Sequence, residues 1–319
     1  MVHLAAISIL CPMLFKEFVS TYHKVYDSTT GYNKRQEIFC QNYEFINNHN
    51  SQNDTSFELD INEFADLTNE EFRTQYTPST FSINQQLGDS QYDATVFSSE
   101  IPIEFDWRYD GHVSPVKNQA HCGSCWSFST TGSIEAHYSI HKNEKVSLSE
   151  QELVDCSFMY GNMGCSGGMV DKAYRYIKRF GLSSEDSYPY LAENHMCKFR
   201  TLASSTNKTF ITGYTDVTPF NETRLTETLY NMGPISVAID ASGDKFRFYK
   251  SGIYDDCGYG LNHAVLLVGY GVDNGQEYYT IKNSWGETYG DRGYIKVARG
   301  KHFAGTCGLA MMPNYPLVV

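Results

Sequence analysis

Cys125 is the residue of this sequence best placed for covalent chemistry. It lies in the stretch Gln119–Phe128, which reads QAHCGSCWSF. Trp126 and the helical spacing of Ile134 and Tyr138 predict that Cys125 opens a buried helix. At the first turn of a helix, unpaired N–H groups and the positive end of the macrodipole favour a thiolate over a thiol. The sequence therefore predicts a nucleophilic sulfur at Cys125.

The spacing of Cys122 and Cys125 also fits two other kinds of site. Cys-Gly-Ser-Cys is the pattern of a redox dithiol or of half a zinc site, although many such pairs are only structural. A zinc site needs a second pair of Cys or His residues at ligand spacing, and none follows. The longer pattern, with Gln119 six residues before the second cysteine and Trp126 directly after it, is far more specific and indicates a catalytic thiol.

A catalytic thiolate needs a base, and His263 is the candidate. It stands 138 residues after Cys125 and opens an apolar run that predicts a buried strand. Asn283 ends a second predicted strand 158 residues after Cys125, slightly beyond the expected spacing of about 130 to 150 residues. A single histidine at a strand start is usually only structural. Because the Cys, His and Asn contexts occur together and in order, we predict that they form one catalytic site.

From about Pro102 to the C-terminus, the chain resembles a papain-like cysteine protease, nearest the cathepsin L-like branch. The resemblance implies that Cys125 is the nucleophile and that His263 is the general base and then the general acid. It implies that Asn283 orients the imidazole ring and that Gln119 donates to the oxyanion. A donor aimed at the charge that develops on the scissile carbonyl stabilises the transition state by roughly 3 to 4 kcal/mol.

The resemblance also implies an α+β, papain-like fold with a helical left domain and a barrel-like right domain. The sequence pattern agrees, because residues 107–210 are rich in helical spacing and the remainder holds predicted strands. These strands are Ile235–Ile239, Ala264–Tyr270, Tyr278–Ile281 and Gly293–Val297. The domains are expected to meet at a cleft suited to an extended peptide, with Cys125 on one wall and His263 and Asn283 on the other.

Substrate-binding residues follow from the same resemblance. Gly167 and Gly168 form a glycine-rich turn at which a peptide backbone can pair with the protein. The S2 pocket would be lined by five apolar residues, Met169, Val170, Ala238, Leu261 and Met312. Because no carboxylate is expected at its floor, we predict a bulky aliphatic or aromatic P2 residue and poor acceptance of arginine. Trp285 would shield the His–Asn hydrogen bond from water. No long insertion separates Cys156 from Cys165, which favours an endopeptidase.

The N-terminal third of the chain is expected to be a removable extension. Residues 1–14 have the apolar character of a signal peptide, but no basic residue precedes the apolar stretch and no clear cleavage site follows. The alternative is a short cytosolic N-terminal helix. Residues 15–76 resemble the inhibitory prodomain of the same family, and residues 77–100 are the predicted linker with the activation cleavage. Residues 101–319 are then the peptidase domain, and the prosegment is its intramolecular inhibitor.

The prodomain resemblance depends on a helical signature and a shorter motif after it. The positions concerned are Arg35, Phe39, Asn42, Ile46 and Asn50, and then Asn62, Phe64 and Asp66. Three positions of the chain depart from the family pattern. Gly31 replaces a Glu, which costs about 1 kcal/mol of helix propensity. Asp60 replaces a Gly, and Tyr289 stands where the family usually carries a second Trp.

The charge of the chain is acidic and unevenly distributed. The 319 residues carry a net charge of −12, which argues against a nucleic-acid partner. Residues 1–99 hold 5 basic and 13 acidic side chains, so most of the excess lies in the prosegment. We therefore hypothesise that acidification loosens the prosegment and permits self-cleavage. No stretch reaches the roughly 18 apolar residues of a membrane span, and we expect a monomer with no metal and no cofactor.

Nine cysteines, an odd number, suit an oxidising compartment in which paired cysteines coexist with one working thiol. Spacing alone does not decide the pairing, because six cysteines allow fifteen arrangements. The resemblance implies three disulfides in the peptidase domain, which are Cys122–Cys165, Cys156–Cys197 and Cys257–Cys307. Cys11 and Cys40 lie in the segment expected to be removed.

Glycosylation sequons begin at Asn53, Asn207 and Asn221 and matter only in the secretory route. The resemblance implies a lysosome-like or vacuolar compartment, or secretion, with polypeptide substrates and cystatin-type inhibitors as partners. The main alternative is a non-catalytic peptide-binding homologue, which would typically have lost the Cys, His or Asn. A disulfide oxidoreductase would need both Cys122 and Cys125 as thiols, which the expected bond to Cys165 excludes.

Overall fold

The computed structural model describes residues 2–52, 54–78, 81, 97, 100–198 and 208–318, with the main chain alone for residues 2–9. The helices in these ranges are α1 (Val2–Thr21), α2 (Thr29–Asn50), α3 (Asn69–Tyr76), α4 (Cys125–Lys142), α5 (Glu150–Cys156), α6 (Val170–Phe180), α7 (Glu222–Met232) and α8 (Asp244–Arg247). The strands are β1 (Phe57–Leu59), β2 (Phe105–Asp106), β3 (Gly213–Asp216), β4 (Ile235–Ile239), β5 (Tyr249–Tyr254), β6 (His263–Asp273), β7 (Gln276–Lys282), β8 (Tyr294–Ala298) and β9 (Asn314–Leu317).

Helices α1 and α2 pack through an aromatic cluster and a disulfide. The rings of Phe15, Phe18 and Phe39 are buried, with centroids 5.0 to 6.0 Å apart. Cys11 is joined to Cys40, a pairing that could not be predicted from the sequence. Helix α1 therefore continues through the boundary that the sequence places after residue 14, and it is anchored on both sides of that boundary.

The signature residues of helix α2 fasten it to the segment that follows. Asn42 Nδ2 donates to the carbonyl oxygens of Ala65 and Leu67 at 2.8 and 2.9 Å. Asn50 donates to the carbonyl of Leu59 and accepts from its N–H, so the end of α2 holds strand β1. These bonds explain why the signature requires amide side chains at these positions, since each satisfies main-chain groups of a short irregular segment.

The structure accommodates both departures in the prodomain. Gly31 lies in the first turn of α2, where its N–H donates to Ser28 Oγ at 3.0 Å. Its helix-propensity cost therefore falls at a capped end of the helix. The main-chain N–H of Asp60 donates to the carbonyl of Phe248 at 2.9 Å, and its carboxylate lies 3.7 Å from Lys250 Nζ.

Helices α4, α5 and α6 form the helical domain. Helix α4 is buried along most of its length, because α5 and α6 cover one side and strand β6 covers another. Ser149 Oγ caps α5 by accepting from the N–H of Glu152 at 2.9 Å. The Glu152 carboxylate instead accepts from the N–H of Ser183 and from Lys208 Nζ, so the capping box suggested by the sequence is only half formed.

The second domain is a sheet in the order β1-β5-β8-β7-β6-β4-β9-β3, with β2 paired to β6. Neighbouring strands in this sheet are antiparallel, except for β5 and β8, which are parallel. Strand β1 belongs to the prosegment and pairs with β5, so that Phe57 lies opposite Gly252. The prosegment thus extends the sheet of the domain that it covers.

This arrangement of a helical unit against a mainly antiparallel sheet confirms the α+β class. Each of the four predicted strands occurs, and β6 runs three residues beyond its predicted end. In the part of the chain that the structure describes, no helix combines the length and the apolar character that a membrane span requires.

Candidate active site

Cys125 and His263 come together where the helical domain meets the sheet. Cys125 is the first residue of α4 and His263 is the first residue of β6, and both side chains are fully buried. The sulfur accepts a hydrogen bond from the N–H of Ala264, the residue after the histidine, at 3.4 Å. The contact joins the helix N-terminus to the start of the strand, as the sequence predicts.

Asn283 completes the group from the neighbouring strand. It directly follows β7, which pairs with β6, so the asparagine and His263 lie at the same end of the sheet. His263 Nε2 donates to Asn283 Oδ1 at 2.7 Å. The other ring nitrogen, Nδ1, is buried and makes no hydrogen bond to the described residues. This bond holds the tautomer in which Nδ1 remains for proton exchange with the sulfur.

Trp285 covers the hydrogen bond between His263 and Asn283. Its indole ring stacks on the imidazole at a centroid distance of 4.6 Å and is itself fully buried. Burial lowers the pKa of His263 to about 4, while the hydrogen bond to Asn283 opposes that shift. The ring is therefore neutral at neutral pH while the cleft is covered.

Gln119 lies beside Cys125, and both the oxygen and the nitrogen of its side-chain amide form hydrogen bonds. Its Oε1 accepts from Ser284 Oγ at 2.7 Å, which directs Nε2 towards the cleft. Nε2 donates to the carbonyl of Cys122 at 2.9 Å and to the carbonyl of Tyr76 in the prosegment at 3.1 Å. The nitrogen expected to bind an oxyanion already holds a carbonyl oxygen in the precursor.

The prosegment continues from Tyr76 along the cleft. A Cβ atom on Gly123 would lie 2.2 Å from Pro78, so only glycine lets the chain pass this close. Further on, the N–H of Phe81 donates to the carbonyl of Leu261 at 3.0 Å, and its ring is 8% exposed. The prosegment therefore covers the cleft from the oxyanion donor to the pocket around Leu261.

That pocket brings together the five residues expected to line S2. Phe81 packs among Met169, Val170, Ala238, Leu261 and Met312. The prediction concerned a carboxylate at the floor of the pocket, and Asp171 is among the residues that border the pocket. This buried carboxylate forms an ion pair with Arg175 at 3.3 Å. The pocket wall is apolar with one compensated charge.

Gly168 is the point of closest approach between the glycine-rich turn and the nucleophile helix. A Cβ atom there would lie 2.5 Å from Trp126 Cε2, so a larger residue would push the turn away from α4. Gly167 has φ 112°, a conformation that favours glycine, and its carbonyl accepts from the N–H of Met163. Both glycines are thus needed to bring the turn to the edge of the cleft.

Disulfides fix the loops around this site. The structure joins Cys122 to Cys165, Cys156 to Cys197 and Cys257 to Cys307, which are the three pairs that the resemblance implies. With Cys11–Cys40 they use eight of the nine cysteines, and Cys125 is the one that retains its thiol. A dithiol mechanism is incompatible with this pairing because Cys122 is oxidised.

A cluster of buried charges behind the catalytic residues was not found from the sequence. Lys117 Nζ donates to Glu135 at 2.8 Å and to Glu150 at 2.7 Å. Lys282, the residue before the catalytic asparagine, donates to Ser114, which in turn donates to Glu135. Burial lowers the pKa of Lys282 to about 8 and raises that of Glu150 to about 7. The cluster links β7 to α4, but its members share no sequence motif.

Of the three predicted glycosylation sites, Asn221 lies among the described residues. Asn221 is exposed, and its Oδ1 caps helix α7 by accepting from the N–H of Arg224 at 2.9 Å. Asn53, Asn207 and most of the linker 77–100 lie outside the described residues. Tyr289 fills the position of the second Trp and packs against Trp285 at a centroid distance of 5.0 Å. The described residues bring no three candidate metal ligands together.

Comparison with known proteins places these features in a family. The model of the papain family cysteine proteases matches residues 101–317, and that of the cathepsin propeptide inhibitor domain matches residues 15–72. The chain is 41% identical to cathepsin L1 of Drosophila melanogaster over 94% of this chain and 84% of that protein. It is 43% identical to human cathepsin L2 over 89% and 86% of the two chains. The structure of digestive procathepsin L 3 of Tenebrio molitor superposes with a TM-score of 0.85 and 38% identity, covering 97% of this chain and 99% of that one.

The fold and the site together define a thiol-dependent hydrolase held inactive by its own N-terminal region. The chain belongs to the papain family of cysteine proteases. It is a cathepsin L-like zymogen, with the prosegment as intramolecular inhibitor and polypeptides as substrates. The family and the zymogen organisation expected from the sequence are thereby confirmed.

Proposed function

We propose that the mature enzyme cleaves internal peptide bonds with Cys125 as nucleophile and His263 as general base and acid. The thiolate attacks the scissile carbonyl carbon, and the oxyanion accepts hydrogen bonds from Gln119 Nε2 and the Cys125 N–H. The imidazolium then gives its proton to the leaving amine as the C–N bond breaks, which leaves a thioester. His263 takes a proton from water, which hydrolyses the thioester to a carboxylate and restores the thiolate–imidazolium pair.

The observation that carries this proposal is the placement of the sulfur beside a histidine held by Asn283. The 2.7 Å bond to Asn283 orients the ring, and the Ala264 N–H contact keeps the sulfur at the start of β6. The low pKa of His263 belongs to the covered cleft. Removing the prosegment readmits water, which favours the charged pair of imidazolium and thiolate.

The S2 pocket supports a preference for a bulky hydrophobic P2 residue. Phe81 places an aromatic ring among its apolar walls in the precursor, where a P2 side chain would lie in the mature enzyme. Asp171 does not make the pocket an arginine site, because Arg175 already pairs with it. An arginine at P2 would bury a second cation beside that pair, which is costly. We expect leucine and phenylalanine to be accepted and arginine to be disfavoured.

The path of the prosegment explains why the precursor does not digest itself at the catalytic sulfur. A substrate runs from S2 towards the oxyanion donor, because P2 precedes the scissile bond. The prosegment runs from Tyr76 at Gln119 to Phe81 at S2, which is the opposite direction. We propose that activation cuts the linker 77–100 and that acid promotes this cleavage. The mature enzyme is then a monomer, and cystatin-type inhibitors bind in the same cleft.

Four disulfides support an oxidising compartment. We propose that the protein works in a lysosome-like or vacuolar compartment, or after secretion. Of its sequons, Asn221 is exposed and therefore accessible to glycosylation.

One experiment tests the catalytic proposal. The full-length precursor is expressed, acidified and assayed with dipeptidyl fluorogenic substrates that carry Leu, Phe or Arg at P2. We expect hydrolysis with Leu and Phe, its loss with an epoxide thiol inactivator, and the label on Cys125. Cys125→Ser should bind the peptides without cleaving them. Hydrolysis by the Ser variant at the wild-type rate would refute Cys125 as the nucleophile. No hydrolysis, with Cys125 unlabelled, would favour the non-catalytic peptide-binding alternative.

A further inference from the structure

Arg247 is a buried cation at the interface between the prosegment and the peptidase domain. It ends helix α8 and is 1% exposed. Its Nη1 donates to the carbonyl of Leu67 at 2.9 Å, and its Nη2 donates to Asn42 Oδ1 at 3.2 Å. The guanidinium also lies over the ring of Phe72, 5.6 Å from its centroid. All three of these partners belong to the prosegment.

Within its own domain, Arg247 has only two described partners for its side chain. Nη2 donates to Asp244 Oδ1 at 2.7 Å, and the guanidinium lies 4.2 Å from the ring centroid of Phe248. Nε makes no hydrogen bond in the described structure. The Asp244 side chain is 38% exposed and contacts one edge of the guanidinium. When the prosegment leaves, the guanidinium loses the two oxygen acceptors of Leu67 and Asn42, and Asp244 is the described acceptor that remains.

The position of Arg247 along the cleft follows from the order of prosegment contacts. Phe81 lies in the S2 pocket and the Tyr76 carbonyl lies at the oxyanion donor, so prosegment residues before Tyr76 cover the opposite, primed side. Phe72 belongs to that earlier part. Its ring contacts both the Arg247 guanidinium and Trp285, whose centroid is 5.1 Å away. Trp285 in turn stacks on the catalytic histidine, so two aromatic rings, Phe72 and Trp285, connect the Arg247 guanidinium to the reacting centre in the precursor.

We propose that Arg247 selects substrates with an acidic residue at P1′ or P2′, the first two positions after the scissile bond. This inference rests on the proposed protease function and adds to it a substrate class. A carboxylate on the primed side would replace the carbonyl and amide oxygens that the prosegment supplies in the precursor. Arginine presents several N–H groups in a plane and binds a carboxylate through two of them at once. A lysine on the primed side would instead place two cations together.

The same contacts explain how one side chain serves both states of the protein. Burial lowers the pKa of Arg247 to about 10, and the attraction of Asp244 and of Glu71 in the prosegment opposes that shift. In the precursor the cation is held by the Asp244 carboxylate, by the two neutral oxygens of Leu67 and Asn42, and by aromatic rings. In the mature enzyme, the loss of Glu71 leaves Asp244 as the one carboxylate among these groups. Arg247 can then bind a second carboxylate, from the substrate.

The test uses mature enzyme from the full-length precursor and pairs of internally quenched peptides with Leu at P2. The two members of each pair differ only by Glu or Gln at P1′ or at P2′. We expect kcat/KM to be about tenfold higher for the Glu member at one of these positions, equivalent to about 1.4 kcal/mol. Raising the salt concentration to about 1 M should reduce this ratio, because it screens the ion pair.

Variants then assign the preference to the side chain. Arg247→Met should bring the Glu to Gln ratio close to one, and Arg247→Lys should retain part of it. Lys245→Met is the matched control, because Lys245 lies in the same short helix and pairs with Asp256. It should keep the wild-type ratio. Each ratio is measured within one enzyme preparation, so it does not depend on how much of a variant folds or matures.

The outcomes separate this inference from the protease function. Cleavage of the Gln peptides without a preference for Glu in the wild-type enzyme overturns the role of Arg247 alone. A Glu preference that survives in Arg247→Met also overturns it. If neither member of any pair is cleaved, the proposed protease function fails and this inference fails with it. Should Arg247→Met not fold, the wild-type ratio and its salt dependence decide.

Discussion

The carbonyl oxygen of Tyr76 accepts a hydrogen bond from Gln119 Nε2 at 3.1 Å, so the prosegment holds the donor that a substrate oxyanion would use. The catalytic residues behind it are already assembled, since His263 is bonded to Asn283 at 2.7 Å. The precursor is therefore inhibited by occupation of the cleft. Activation has to remove a covering segment and does not have to rebuild the site.

Replacing Gln119 tests the oxyanion donor. Gln119→Ala should lower kcat by about 10² to 10³ with a smaller change in KM, because the lost hydrogen bond is strongest in the transition state. Gln119→Glu keeps the shape and the acceptor for Ser284 but removes the N–H group, and it should be as impaired. Steady-state kinetics of the mature enzymes measure this. A Glu variant with wild-type kcat would show that the N–H does not act on the oxyanion.

Phe81 should anchor the end of the prosegment in the S2 pocket. Phe81→Ala removes a ring that is 8% exposed, and we expect the precursor to hydrolyse a small fluorogenic substrate measurably before maturation. Phe97→Ala is the control, because this second linker phenylalanine lies against Arg224, 4.4 Å from its guanidinium. The initial rate before any cleavage of the linker is the readout. Equal initial rates in the two variants would mean that the pocket contact does not contribute to inhibition.

Acid activation should depend on Glu71. Burial acts to raise its pKa, but the hydrogen bonds from Arg35 and Thr68 prevail and hold it below the ordinary value of 4.5. A carboxyl with a lowered pKa in the folded state stabilises that state above about pH 4.5, and the contribution is lost as the pH falls through the folded pKa. Protonation therefore weakens the tie between helices α2 and α3.

Glu71→Gln mimics the protonated state, so its precursor should mature about fivefold faster than wild type at pH 5.5, as expected for the loss of about 1 kcal/mol. Glu70→Gln is the matched control, because its exposed carboxylate lies in the same helical turn. Gel analysis of maturation over time measures both. If the two variants mature alike, the Arg35–Glu71 contact does not control activation.

The folded protein should become less stable as the pH decreases, because of the buried His137. Burial lowers the pKa of this histidine to about 3, while its hydrogen bond to the Pro234 carbonyl opposes the shift. Below about pH 6.5, His137 is protonated in the unfolded chain, whereas in the folded protein it remains neutral. The free energy of unfolding therefore decreases by up to about 1.4 kcal/mol per pH unit as the pH falls from 6.5 towards 3.

Denaturant unfolding of an inactive Cys125→Ala precursor at several pH values measures this slope. Between pH 6.5 and 4, His137→Gln should reduce the slope of the free energy of unfolding against pH by the contribution of about one bound proton. Ser133→Ala provides the control, because Ser133 donates to the same Pro234 carbonyl at 3.1 Å but does not titrate. It should lower stability at every pH and leave the slope unchanged. An unchanged slope in His137→Gln would contradict the assignment.

The sequence by itself determined the chemistry and the family. A thiolate mechanism needs particular residue types in particular local settings, and those settings can be read over ten residues around Cys125, His263 and Asn283. The strands could be predicted for the same reason, because apolar runs and the alternation of apolar and polar residues are local patterns. Helix α1 shows the limit of such patterns, because an apolar stretch of signal-peptide length lies within a helix tied to α2 by Cys11 and Cys40.

Only the tertiary structure decided which distant segments share a surface. Asp171 lines the S2 pocket, Phe81 fills it, and Arg247 lies beneath the prosegment, yet none of them belongs to a recognisable motif. Each contact depends on chain folding that brings together residues far apart in the sequence, such as Asn42 and Arg247, which are 205 positions apart. The specificity of the cleft and the fit of its inhibitor are properties of such contacts, and local residue patterns do not encode them in a readable form.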